Sequence, residues 1–287
     1  MTAQSITRAD LSHLSLGVAH PPAVAAFYVE NLGMSLAEEL PDGGLRLGWG
    51  QGFHALELRA GEGLDHVGLS LPSEEALAEL GARVEAQGVE VERREGEGSH
   101  PPALLLRDPD GQAIELHGPV DRSGEHAADP GRRPVRIHHV TFATTSVARQ
   151  VTFYEEVLGF RVSDRMEDVF AWLRCNREHH TVAVVDAERT GLDHYCYEVD
   201  SWESLKVWCD ELAARDVRIT WGPGRHGPGN NLFVFFDDPA GNRIELSCEM
   251  ERFWDETVDY RGRTWSVSDR TLNLWGPMPS WRERVSE

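Results

Sequence analysis

The chain repeats itself, and the repeat limits what it can fold into. Residues 11–34, "LSHLSLGVAHPPAVAAFYVENLGM", are echoed by residues 137–160, "IHHVTFATTSVARQVTFYEEVLGF". Each reads as a short strand followed by an amphipathic helix that closes on Leu-Gly. Pro21 and Pro22 suit a first helical turn, Ser146 an N-cap, and Gly33 and Gly159 a left-handed helix end. A second pair of segments begins "LDHVGLSLPSEEALAELGARVEAQGVEV" and "LDHYCYEVDSWESLKVWCDELAARDVRI". Each of these ends in a strand–turn–strand carrying Asp-Pro-x-Gly, "LLLRDPDGQAIEL" and "FVFFDDPAGNRIEL". Alternating stretches such as "LRLGWG", "FHALELR", "VFAWLRC" and "HTVAVVD" supply the remaining strands. The unit is βαβββ, used four times. A lone unit cannot bury both faces of its sheet, so an α+β fold of paired modules is expected.

The duplication carries chemistry with it. His139, His194 and Glu245 recur in the first half as His13, His66 and Glu115. The His-to-His spacings are 55 and 53 residues and the His-to-Glu spacings 51 and 49. Two neutral imidazoles and a carboxylate hold one face of a divalent ion and leave other positions open, the arrangement of non-heme Fe(II) oxygenases. Each residue alone carries little weight, because a single strand histidine is usually a hydrogen-bonded core residue. Together, at equivalent places in the modules, they point to a metal. In "NRIELSC", Glu245 alternates with Arg243 and Ser247, while Ile244, Leu246 and Cys248 face the other way. By the same alternation His138 points away from His139, and His139 is the expected ligand.

The 287 residues suffice for two domains. The Gly/Pro/charge-rich stretch 121–134 separates an N-terminal domain, 1–120, from a C-terminal one, 135–250, and a tail follows at 251–287. A formal charge of −20 argues against nucleic acid, which needs a basic face. The four cysteines form no CxxC pair, so neither a disulfide framework nor a structural zinc site is expected. No leader-like N-terminus and no apolar run of membrane-spanning length are read, so a cytoplasmic protein is expected.

The modules and ligands together resemble the vicinal oxygen chelate (glyoxalase/bleomycin resistance/dioxygenase) superfamily, and within it the type I extradiol ring-cleaving dioxygenases, over residues 10–250. That resemblance implies two domains with cupped mixed sheets. The metal, Fe(II) or alternatively Mn(II), would lie in the C-terminal cup on His139, His194 and Glu245. It implies a catecholic small-molecule substrate, O2 as co-substrate and a homo-oligomer. His180, 14 residues before His194, matches an acid/base histidine, and His226, 19 before Glu245, a histidine that hydrogen-bonds the substrate hydroxyl. Trp172 matches an aromatic pocket residue.

One position departs from the family. Many extradiol enzymes place a tyrosine 10 residues before the carboxylate ligand, and here Phe235 stands there. The lost donor costs about 1 kcal/mol, more against a charged partner. With Trp221 at the position of a carboxylate-gripping arginine in one branch, a hydrophobic catechol is expected, while Arg225 keeps a carboxylated one open. Such enzymes generally keep only the C-terminal site. In the first half Gly52 and Gly96 stand at the offsets of His180 and His226, with His54 and His100 nearby. His13, His66 and Glu115 therefore read as a vestigial set, with metal binding there as the alternative. The tail, with four tryptophans between 252 and 285, reads as a lid or as a strap on a neighbour. The rival functions are a non-oxidative isomerase or glutathione-transferring relative and a ligand-sequestering protein of the same fold.

Overall fold

The structure is a computed structural model describing residues 6–50, 52–123, 129, 131–255, 260 and 262–278. All four βαβββ modules are present. The first runs β1 (Asp10–Val18), α1 (Pro21–Leu32), β2 (Ser35–Glu39), β3 (Leu45–Gly48) and β4 (Leu56–Ala60). The second runs β5 (Gly63–Ser70), α2 (Glu74–Ala86), β6 (Glu92–Arg94), β7 (Ala103–Arg107) and β8 (Ala113–His117). The third comprises β9 (Arg136–Thr144), α3 (Val147–Thr152), β10 (Arg161–Met166), β11 (Phe170–Arg174) and β12 (Val182–Asp186). The fourth comprises β13 (Gly191–Glu198), α4 (Trp202–Ala214), β14 (Trp221–Arg225), β15 (Leu232–Asp237) and β16 (Arg243–Cys248). The tail adds β17 (Arg263–Trp265) and the short α5 (Asp269–Leu272).

Local chemistry accounts for these boundaries. Ser73, Ser146 and Ser201 each cap a helix by accepting from a backbone N–H three residues on. Gly33 ends α1 at φ 62°. Both Asp-Pro-x-Gly turns are held by their aspartate. Asp108 Oδ1 accepts from Asp110 and Gln112 N–H, and Asp238 Oδ1 from Ala240 and Asn242 N–H, at 2.8–2.9 Å. These turns set the hairpin registers that place Leu105 opposite Glu115 and Phe235 opposite Glu245.

The modules pair into two mixed sheets, β2-β3-β4-β1-β5-β8-β7-β6 and β14-β15-β16-β13-β9-β12-β11-β10-β17. In each, the opening strands of two modules lie antiparallel at the centre, β1 with β5 and β9 with β13. One apolar core joins the helices to both sheets. Across the domain boundary, Tyr28 in α1 donates to Asp238 Oδ2 at 2.8 Å and meets the Tyr195 hydroxyl. The other faces line the two cups, and there the halves diverge. The C-terminal cup is apolar, with Met166, Phe170, Trp172, Trp221, Phe233 and Phe235 in a separate cluster joined by Leu272 of the tail.

The N-terminal cup is ionic. Glu57 accepts from Arg46 Nε at 2.7 Å, Arg59 Nε at 2.6 Å and Ser15 Oγ at 3.0 Å. Burial opposes its charge, but the two guanidinium groups prevail and hold its carboxyl at about 2. A depressed folded value gives stabilisation that is complete above the unfolded carboxylate range and is lost as pH falls from there towards 2. The shift corresponds to about 3 kcal/mol. Urea unfolding of wild type and Glu57→Gln at about pH 7 and about pH 3.5 should show the gap between them narrowing by about 1 kcal/mol in acid. A gap equal at both values would rule out this source of acid sensitivity.

Candidate metal centre

His139 on β9, His194 on β13 and Glu245 on β16 stand on three adjacent strands. Cys196 is the register partner of both His139 and Glu245, which brings the imidazole and the carboxylate to the same level of the sheet. His139 Nε2 lies 3.0 Å, and His194 Nε2 3.4 Å, from Glu245 Oε2. One donor atom from each of the three lies within 4.8 Å of the others, and all three residues are buried.

Two bulges aim the histidines. The β9–β13 register slips between Cys196 and Tyr197, where His138 is the extra residue, and again between Leu192 and His194, where Asp193 is. Both extra side chains reach a ligand ring. His138 Nδ1 lies 3.0 Å from His139 Nδ1, and Asp193 Oδ2 3.4 Å from His194 Nδ1. This corrects the expectation that His138 points away, because strict alternation fails at a bulge. Partners on the far nitrogen fix the orientation and basicity of a ligating imidazole.

The flanking residues converge as well. His180 packs against His139 with ring centres 4.3 Å apart. Behind it, His179 Nδ1 lies 3.1 Å from His180 Nδ1, and His179 Nε2 lies 3.3 Å from Asp164 Oδ2. The tail holds Asp164 in turn through Trp265 Nε1 at 2.8 Å and the Arg263 backbone N–H at 2.8 Å. His226 stacks on Phe233, donates from Nδ1 to the Leu272 carbonyl, and sets Nε2 3.6 Å from Glu245 Oε1. Asn231 Nδ2 donates to that same oxygen at 3.1 Å. Trp172 lies flat on Phe170, and Phe235 meets His194 edge-on and stacks on Trp221. Asp164, His179, Asp193, Asn231 and the Leu272 carbonyl have no equivalent in the sequence reading. Leu272 shares the lining of a cavity of about 30 Å³, room for an ion but not for an aromatic ring.

The electrostatics fit a divalent cation. Glu245 is almost completely buried, which opposes its charge, yet His139, His194 and His226 hold its carboxyl well below the usual range. Burial pushes His139 down to about 4 and holds His180 well below the ordinary imidazole value. His194 is raised, since its bonds to Asp193 and Glu245 outweigh burial. An ionised carboxylate and neutral imidazoles are the forms a metal requires, and an ion entering here would displace a proton now shared between ring and carboxylate.

The N-terminal set converges in the same way. His13, His66 and Glu115 each bring a donor atom within 4.8 Å of the others, all buried. Here the sequence offsets misled. His54 precedes β4 by two residues as His180 precedes β12, and the register pairs Leu56 with Leu14 as it pairs Val182 with Val140. His54 is therefore the structural counterpart of His180, and its ring lies 4.8 Å from that of His13. His100 Nε2 lies 2.8 Å from Glu115 Oε1, the contact His226 makes in the other cup. Loop lengths differ between the halves, so a count back from a ligand lands on Gly52 and Gly96 instead.

Comparison with known proteins places this geometry. "Metapyrocatechase 2" of Cupriavidus necator is 32% identical over 66% of this chain, a match spanning 57% of that relative's length. The chain thus spans less than two thirds of that relative. "Biphenyl-2,3-diol 1,2-dioxygenase" of Pseudomonas sp. strain KKS102 is 25% identical over 93% of this chain and 96% of its own. Among solved structures, the Mn(II)-bound glyoxalase of Novosphingobium aromaticivorans superposes with a TM-score of 0.85 at 26% identity, covering 95% of this chain and 92% of that one. The family profile matches both halves, residues 10–116 and 136–246, and the chain belongs to the Glyoxalase/Bleomycin resistance protein/Dioxygenase superfamily.

Proposed function

We propose that this chain is an extradiol dioxygenase, opening a catechol-type ring beside its two hydroxyl-bearing carbons and incorporating both atoms of O2. The supporting observation is the convergence of His139, His194 and Glu245 in an aromatic cup flanked by His180 and His226. Those three residues would hold Fe(II), with Mn(II) as the alternative ion. Once bound, the metal supplies Lewis acidity and a common meeting point for the two reactants.

The chain's own groups supply the rest. Trp172, Trp221 and Phe235 form walls suited to a planar apolar ring. The contacts behind His180 assign its Nδ1–H to His179, which leaves Nε2 free to take a hydroxyl proton. With Nδ1–H given to Leu272, His226 Nε2 is free to accept from the second hydroxyl. Phe235 offers no hydroxyl to the bound ring. A ring can enter this cavity only by displacing part of its lining, and Leu272, on α5, is the lining residue that the tail supplies. The tail is thus proposed as a lid, its residues 256–259, 261 and 279–287 lying outside the described ones. A cytosolic setting suits the four free cysteines, and self-association is proposed alongside it.

The test is Fe(II) loading without oxygen, followed by a catechol and O2. Oxygen uptake matched by the visible absorbance of a ring-opened product is expected. No uptake across simple, aryl-substituted and carboxylated catechols would overturn the proposal. The likeness to a Mn(II)-bound glyoxalase favours one other reading, non-oxidative isomerisation. Metal-dependent turnover in the absence of O2 would establish that reading.

A further inference from the structure

We infer that the N-terminal cup is a second metal site, binding a divalent transition ion through His13, His66, His100 and Glu115. Hydrogen bonds occupy the outward Nδ1 atoms of these histidines. His117 Nδ1–H donates to the Gly118 carbonyl at 2.8 Å, so its Nε2 accepts from Ser12 Oγ–H at 2.8 Å. The Ser12 oxygen then accepts from His13 Nδ1–H at 3.0 Å, which leaves His13 Nε2 bare. His66 Nδ1–H donates to Asp65 Oδ2 at 2.7 Å, and His100 Nδ1–H to the Pro101 carbonyl at 2.8 Å. Their Nε2 atoms are turned to Glu115.

Three imidazole Nε2 atoms thus face one carboxylate oxygen. His13 and His66 Nε2 lie 3.0 Å apart, and 3.7 and 3.9 Å from Glu115 Oε1. His100 Nε2 lies 2.8 Å from that oxygen without the alignment of a hydrogen bond, and both atoms lack a hydrogen-bond partner. These groups are gathered in one cluster, with Arg94 Nη1 3.7 Å from Glu115 Oε2 beside it, and a divalent cation would satisfy all four donors at once. Bonds of about 2.0–2.2 Å around a tetrahedral ion set donor atoms about 3.4 Å apart, and the distances here bracket that value.

Two independent features agree. His54 is 2% exposed, packs beside His13, and among the described residues has no hydrogen-bond partner for either ring nitrogen. Gly68 makes room for the His13 ring, since a Cβ there would sit 2.1 Å from His13 Nδ1, whereas Cys196 stands at the same register position opposite His139. The bulge residues Ser12 and Asp65 orient His13 and His66 as His138 and Asp193 orient the other pair.

The two sites differ in what surrounds them. Arg46, Glu57 and Arg59 hold the register positions of Trp172, Ala183 and Val185, so ion pairs replace the aromatic wall. With four protein donors and no apolar pocket, the ion has a structural role, outside the reaction proposed for the other cup.

Equilibrium dialysis of the metal-free chain against Zn(II) tests this. Zn(II) binds N/O sites more tightly than Fe(II) or Mn(II), so a vacant result is stringent. Two equivalents are expected in wild type and one each in Glu115→Ala and Glu245→Ala. Gly68→Ala, which removes no ligand but displaces His13, should also fall to one. A single wild-type equivalent that survives Glu115→Ala and vanishes in Glu245→Ala would overturn the inference. A single equivalent with the reverse pattern would support this site and remove the metal centre proposed for catalysis. Should the variants fail to fold, the wild-type count still decides between one site and two.

Discussion

Glu245→Gln is expected to abolish the proposed ring cleavage, lowering turnover by at least about 10³-fold, while leaving the chain folded. The two outcomes separate because the carboxylate serves the ion by its charge and the apo fold by its hydrogen bonds. A glutamine oxygen can still accept from Asn231 Nδ2, which now lies 3.1 Å from Oε1. Its amide can donate to His139 Nε2, now 3.0 Å from Oε2, once that ring shifts its proton to Nδ1, which lies 3.0 Å from His138 Nδ1. What it cannot supply is a negative charge, and two neutral imidazoles alone hold a divalent ion poorly. Metal analysis should therefore show one equivalent fewer than wild type, with the metal-free melting temperature shifted by only a few degrees. A variant that keeps its metal and its turnover would remove Glu245 from the centre.

The convergence of His139, His194 and Glu245 and the four modules were legible because both are written in local, repeated patterns. Serine caps, Leu-Gly helix ends and Asp-Pro-x-Gly turns act within a few residues of chain, and duplication printed the helix ends and the turns twice. The bulges were not legible. Ser12, Asp65, His138 and Asp193 break a two-residue alternation that a sequence reader must assume, and they are the residues that touch the ligand rings. His54 escaped because its loop differs in length from that before His180, so only the strand register exposes the equivalence. The Leu272 carbonyl that fixes His226 is a backbone group, which no sequence motif encodes. Asp164 looked like any polar strand residue until the tail, nearly a hundred positions later, supplied its partners.

His180→Phe should lower the proposed turnover by about 10²- to 10⁴-fold, the range for loss of a positioned acid or base, and leave the metal count unchanged. Its ring lies against His139, yet it belongs to none of the donor groups that close on Glu245. Phenylalanine fills nearly the same volume, so the buried packing survives while both nitrogens go. Burial keeps His180 neutral, which makes it a proton acceptor at the start of the reaction rather than a standing cation. The line from Asp164 through His179 to His180 Nδ1 then acts as its support, fixing which nitrogen faces the cup. Asp164→Asn removes the charge at the far end without touching the cup, so a smaller fall, about 10-fold on the scale of an outer partner, is expected at unchanged metal content. Should His180→Phe lose metal along with activity, the histidine would be a ligand and not a base. Should Asp164→Asn fall as far as His180→Phe, the relay would be moving the proton itself rather than orienting the ring that takes it.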